Sequence, residues 1–150
     1  MSVKFSDSVK YIGVDDTTID LFESQYVVPE GVSYNSYVIL DDKVALMDTV
    51  DKRGMEQWEK NLTAALDGRA VDYLIIQHLE PDHAGSVERL LDYSPQMKVI
   101  ATGCALGFLK EIVNRDFVGI PARDKEKMTI GNKTLEFLFV PNLHWPDTMY

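Results

Sequence analysis

The stretch Val71-Asp72-Tyr73-Leu74-Ile75-Ile76-Gln77-His78-Leu79-Glu80-Pro81-Asp82-His83 decides how the rest of the chain is read. Residues 71–76 are a short, nearly continuous apolar run, the pattern of a strand buried on both faces. Directly after it, His78, Glu80, Asp82 and His83 place four candidate metal ligands within six residues. Strand ends in layered α/β structures border the crevices where ligands bind, so a ligand-rich loop there has a pocket to point into. His78 and Glu80 alternate on an extended segment and project the same way. Pro81, with its fixed φ, bends the path and aims Asp82 and His83 at a second point of the same pocket.

Working outward, residues 32–40 and 44–48 are β-branched and aromatic runs separated by Asp41-Asp42-Lys43, a hairpin signal. Shorter strands are expected at 10–14 and 18–22, with Pro29-Glu30-Gly31 as the turn into the longer pair. From 53 to 66, Met55, Trp58, Leu62, Ala65 and Leu66 recur at helical spacing, with Asp51 as candidate cap and Gly68 after the end. Beyond the ligand loop the pattern predicts a helix at 86–93, a strand at 98–101 and a helix at 103–113. A second hairpin is expected at 128–130 and 133–140 about Gly131-Asn132. Strand and helix alternate only after the opening hairpins, so the class is α+β, in one domain over residues 1–150 without repeat or linker.

The chain of 150 residues carries 15 basic and 24 acidic side chains, a net charge of −9, with 45% hydrophobic residues. A domain of this length buries roughly 68–70% of its unfolded surface, so a metal is not needed as a structural staple. The acidic balance argues against a nucleic-acid partner, whose binding depends on Lys and Arg releasing counterions. No apolar run reaches the length of a membrane span, and MSVKFSDSVKYIG lacks a signal-peptide core, which makes the cytoplasm the expected location. The single Cys104 cannot form an internal disulfide and is expected to be an inert core thiol.

The chain has three histidines, and the third, His144, lies 61 residues beyond His83, after another strand signal. His and Asp are common in loops as solvated or capping residues, but five candidate ligands in this pattern outweigh that reading. Three imidazoles with carboxylates and no nearby thiolate fit iron, manganese or zinc, and the anionic oxygen of Glu80 favours redox iron. The two clusters imply two metals, with His78, Glu80 and His144 at one and Asp82 and His83 at the other. All five are expected to converge on one pocket. Trp145 and Pro146 are expected either to wall that pocket off from water or simply to pack in the core.

His-x-Glu-x-Asp-His at 78–83, with His144-Trp145-Pro146, Tyr34-Asn35-Ser36-Tyr37 and Met47-Asp48-Thr49, resembles the metallo-β-lactamase-like domain of flavodiiron proteins, also called A-type flavoproteins. The resemblance implies a four-layer αββα sandwich, of which this chain is the first, incomplete part. It also implies reduction of O₂ to water or of NO to N₂O at two non-haem iron ions. FMN would be carried by a flavodoxin-like domain absent from this chain, with rubredoxin or a reductase as electron donor and a head-to-tail homodimer as the assembly. Trp145 to Tyr150 ends without a cap or closing turn and reads as an interruption, ahead of the family's bridging Asp and last His. Asp147 lies too close to His144 to be that bridge. Many family members have a His where this chain has Phe22-Glu23-Ser24-Gln25-Tyr26; Gln25 and Tyr26 are candidate pocket hydrogen-bonding groups there. The fragment alone is predicted inactive. The alternative is a binuclear zinc hydrolase of the same superfamily, against which Glu80 argues; a non-catalytic remnant is a third.

Overall fold

In the computed structural model, which describes residues 6–150, the apolar run at 71–76 becomes an inner strand of a six-stranded sheet. The reading of MSVKFSDSVKYIG as lacking a signal-peptide core falls in part on residues 1–5, which lie outside the described residues. Among those described, seven strands come before any helix: β1 (Val9–Tyr11), β2 (Val14–Asp16), β3 (Leu21–Phe22), β4 (Tyr26–Val27), β5 (Val32–Tyr34), β6 (Tyr37–Leu40) and β7 (Val44–Met47). There follow α1 (Met55–Leu66), β8 (Tyr73–Ile75), α2 (Pro81–Ala84), α3 (Val87–Tyr93), β9 (Lys98–Ala101) and α4 (Gly103–Ile112). β10 (Val118–Pro121), β11 (Lys127–Thr129) and β12 (Thr134–Glu136) complete the order. The main sheet runs β1-β6-β7-β8-β9-β10, antiparallel as far as β7 and parallel from there on. β2 with β5, β3 with β4, and β11 with β12 form separate antiparallel pairs.

The two-residue alternation of the strands divides the core into two faces. Val44, Leu46, Leu74, Val99 and Ala101 pack against Trp58 and Leu62 of α1, Leu90 and Leu91 of α3, and Leu106 and Leu109 of α4. The intervening Ala45, Ile75 and Ile100 meet Ile130, Phe137 and Met149. Helices, sheet and hairpin thus stack as three layers of the αββα order that the resemblance implies.

The structure departs from the sequence reading at definable places. The run 32–40 is split at Asn35-Ser36, so that β5 leaves to pair with β2 while β6 stays in the main sheet. Ser36 at the break is buried; its hydroxyl accepts from Trp58 Nε1 at 3.0 Å and donates to the Asp48 carbonyl at 2.9 Å. β10 has no strand signal because it contains Gly119 and Pro121, tolerable on the sheet edge where it sits. Asp51 does not cap α1: Gly54 holds the N-cap position, and the Asp51 carboxylate accepts instead from the Arg53 N–H at 2.9 Å. Cys104 is exposed rather than buried, since the inward stripe of α4 is Ala105, Leu106 and Leu109. The strand expected over 133–140 ends at Glu136, leaving Phe139 as an isolated bridge to Met149.

Asp41, in the β6–β7 turn, fastens the β11–β12 turn to the sheet. Its carboxylate accepts from the N–H groups of Lys133 at 2.9 Å and Asn132 at 3.1 Å and from the Lys133 ammonium at 3.4 Å. The Asn132 N–H foremost, with Asp42 and Lys133, holds the carboxyl at about 2, below its usual 3.8, against some desolvation. A depressed folded-state pKa contributes stability that is complete above the unfolded value and lost as the pH falls through the folded one. Asp41→Asn is therefore expected to be less stable than the wild type in denaturant unfolding at neutral pH and to lose less stability between about pH 4 and about pH 2. Parallel acid profiles would show that this carboxylate contributes nothing.

Candidate metal centre

The site is built where β8 leaves the sheet. The Gln77 N–H donates to Asp48 Oδ1 at 2.7 Å, on the β7 side, and the Gln77 carbonyl accepts from the Met149 N–H at 3.0 Å. Pinned on both sides, the chain delivers the next side chain inward, and His78 is only 3% exposed. His78 Nδ1 lies 3.1 and 3.2 Å from the Asp147 carboxylate oxygens, and Asp147 Oδ2 also accepts from the Leu79 N–H at 2.9 Å. Asp147 thereby fixes the plane of the ring and turns Nε2 towards the pocket; with the proton on Nδ1, Nε2 would be the nitrogen offered to a metal.

Glu80 Oε2 lies 2.8 Å from His78 Nε2 and 2.7 Å from His144 Nε2. Ligand atoms of His78, Glu80 and His144 all fall within 4.8 Å of one another. Burial raises the Glu80 carboxyl, but contacts with Glu23, His144 and His78 outweigh it and leave the group well below the usual carboxylate range. One carboxylate oxygen between two imidazole nitrogens, with no thiolate near, is a donor set that a divalent cation of intermediate hardness completes.

Asp82 and His83 stand at a second point beside the first. Pro81 opens the single turn of α2, and the His83 ring centroid is 5.5 Å from that of His78. His83 Nδ1 is held by Asp48 Oδ2 at 2.8 Å, which leaves Nε2 facing Asp82 Oδ2 at 3.5 Å. Burial lowers the His83 pKa, but Asp48, with Asp82 and Glu80, more than offsets it and the net shift is upward. Burial raises the Asp82 carboxyl. The His83 carbonyl is fixed by the N–H and hydroxyl of Thr49, at 2.7 and 2.8 Å.

The structure therefore gathers His78, Glu80 and His144 at one point and Asp82 and His83 next to it. Two orienting carboxylates, Asp48 and Asp147, were not singled out from sequence as site residues, although Asp48 lies in a quoted motif directly after a buried strand. Asp147 stands behind His78, on the ring nitrogen opposite Glu80, so it is no bridge between the two points. Trp145 is not in the core: it is 49% exposed, packs edge-on to the His78 ring at 5.4 Å and stands tilted beside His144 at 6.4 Å. Tyr26 is exposed, and the Gln25 amide donates to Glu23 at 3.4 Å. Among the described residues no helix is long and apolar enough to cross a membrane.

Helices over one face of a mixed sheet, with imidazoles and carboxylates at the exit of an inner strand, define the class as a metallo-β-lactamase-like domain. The ODP family beta lactamase model matches residues 32–150. The flavo-diiron protein FprA2 of Clostridium acetobutylicum is 36% identical over 99% of this chain, which spans 38% of that protein. The anaerobic nitric oxide reductase flavorubredoxin of Aliivibrio salmonicida is 33% identical over 99% of this chain and 30% of its own length. Rubredoxin oxygen:oxidoreductase from Desulfovibrio gigas superposes with a TM-score of 0.92 at 28% identity, over 99% of this chain and 37% of that one. The chain belongs to the ODP β-lactamase family, as the N-terminal metallo-β-lactamase-like domain of a flavodiiron protein, and it spans well under half the length of these relatives.

Because Asp147 holds the plane of the His78 ring from its Nδ1 side, Asp147→Ala is expected to weaken Co²⁺ binding by about 10–100-fold in an anaerobic titration. Unchanged affinity would show that His78 is positioned by packing alone.

Proposed function

We propose that this chain is the diiron-binding part of a reductase that converts O₂ to water or NO to N₂O, with electrons delivered through FMN. The reading rests above all on Glu80, whose anionic oxygen sits between two imidazoles where a zinc hydrolase would often use another imidazole. Hard oxygen beside imidazole suits iron, and negative charge favours its higher oxidation state. His78, Glu80, Asp82, His83 and His144 would hold two ferrous ions, whose oxidation would supply electrons for the reduction of O₂ or NO.

The chain's own residues prepare that chemistry. Asp147 and Asp48 fix the rings of His78 and His83, leaving one nitrogen of each free to face the pocket. Glu80 and Asp82 offset the charge of the bound ions. We place FMN in a flavodoxin-like domain outside residues 1–150, rubredoxin or a reductase as donor, a head-to-tail homodimer as the assembly and the cytoplasm as the location. The names of the D. gigas and A. salmonicida relatives support the substrate pair and the donor.

The deciding experiment is metal analysis with an ultraviolet-visible spectrum of the full-length protein. Iron with flavin supports this reading, and zinc without flavin would replace it with a binuclear hydrolase. Glu80→His is expected to shift the bound metal from iron towards zinc and to abolish reductase activity; unchanged iron content and turnover would remove Glu80 from its assigned role. Residues 1–150 alone, loaded anaerobically with ferrous iron and given a chemical reductant, are expected to show no sustained O₂ or NO consumption above free iron. Sustained turnover without added flavoprotein would show that the electron path has been misplaced.

A further inference from the structure

Residues 141–146, the loop that carries His144, are all exposed, so burial in the core does not hold this loop in place. The His144 side chain is itself 57% exposed and meets Glu80 at 2.7 Å. An imidazole on such a loop loses conformational freedom when a metal fixes it, and that cost weakens binding unless the backbone is already held. Here it is held from Thr148, which is buried between Asp147 and Met149. The Thr148 hydroxyl accepts from the Trp145 N–H at 3.1 Å and donates to the Trp145 carbonyl at 2.9 Å. That carbonyl also accepts from the N–H groups of Asn142 at 3.1 Å and Thr148 at 3.3 Å, and the Thr148 carbonyl accepts from the Val140 N–H at 3.2 Å. The Trp145 N–H belongs to the peptide that leaves His144, so one hydroxyl fixes the backbone immediately after the ligand. Asn142 closes the turn in the left-handed conformation, φ 65°, which Asn tolerates better than most residues.

We propose that Thr148 is the positioning residue for His144: its hydroxyl, bridging the N–H and carbonyl of Trp145, holds the exposed loop so that the imidazole faces Glu80 before a metal arrives. The proposal rests on the metal-centre reading above. The neighbouring Asp147 acts on His78, so residues 147 and 148 divide the two imidazoles of the three-ligand point between them. The hydroxyl gives its proton to one group and a lone pair to the other. Valine, close to threonine in shape, removes both bonds and leaves the Trp145 N–H unpaired, whereas serine keeps both.

The test is anaerobic Co²⁺ titration of the full-length wild type, Thr148→Val, Thr148→Ser, His144→Ala and the double variant carrying Thr148→Val with His144→Ala. Thr148→Val is expected to weaken by about tenfold the Co²⁺ binding that His144→Ala also weakens, the low end of the loss seen when a group that orients a metal ligand is removed. Thr148→Ser is expected to bind as the wild type does. In the His144→Ala background Thr148→Val should have no further effect, because a residue that acts through His144 then has nothing left to position. Wild-type affinity in Thr148→Val, with binding impaired in His144→Ala, would overturn this proposal and leave the metal centre standing. Equal losses in the valine and serine variants, or the same tenfold loss again in the double variant, would overturn it too, since either marks a general effect on packing. Wild-type binding in His144→Ala would overturn the metal-centre reading and this proposal with it.

Discussion

The candidate centre depends first on one buried carboxylate. Asp48 is 2% exposed at the exit of β7 and accepts three hydrogen bonds: the Gln77 N–H, the Gln77 amide and His83 Nδ1, at 2.7, 3.0 and 2.8 Å. The same group therefore ties the ends of β7 and β8 together and sets the plane of an imidazole that follows. Its backbone is left-handed, φ 55°, a conformation that Asp tolerates better than most residues. Hydrogen bonds to a charged acceptor are worth about 1.5–3 kcal/mol each when buried donors would otherwise be unpaired. That is enough to hold such a backbone against its local preference.

A second carboxylate brings in the far end of the chain. Asp147 grips His78 and the Leu79 N–H, while its own carbonyl accepts from the Thr102 hydroxyl at 3.2 Å. The Met149 N–H on Gln77 and the paired contacts between Leu138 and Tyr150 lay this segment along the sheet. His144 thus reaches Glu80 although 64 positions separate them. The hydrophobic core supplies the platform, and two acidic clamps supply the angular precision that core packing alone does not give.

What was readable from sequence follows the same division. The inner strand, the long amphipathic helix and the ligand spacing are periodic or local signals, and 71–76, 53–66 and 78–83 carried them. The break at Ser36 was not readable, because an uninterrupted β-forming run does not show that a buried hydroxyl will be taken by Trp58 and Asp48. β10 was hidden by Gly119 and Pro121, which only an edge position permits. Cys104 was misplaced because an apolar neighbourhood in sequence was read as burial, although the helical stripe turns it outward. Asp48 and Asp147 act through tertiary contacts, and nothing in their local sequence states which imidazole each will meet.

The acidic composition acquires a local meaning at this end of the sheet. Asp48, Asp147, Glu80 and Asp82 gather around three imidazoles, and Arg53 is the cationic side chain lining the adjoining cavity. Carboxylates packed this closely repel one another, and their mutual desolvation adds to the cost. Under the proposed function, bound cations reverse the sign of that interaction, and the free energy of binding becomes stability for the loops that carry the ligands. Leu79 and Ala84 of the ligand-bearing segment also pack on the core of the sheet and helices, so the platform anchors these loops from below. Metal binding should then tighten first the loop at 78–83 and the segment around His144, which carry the ligands.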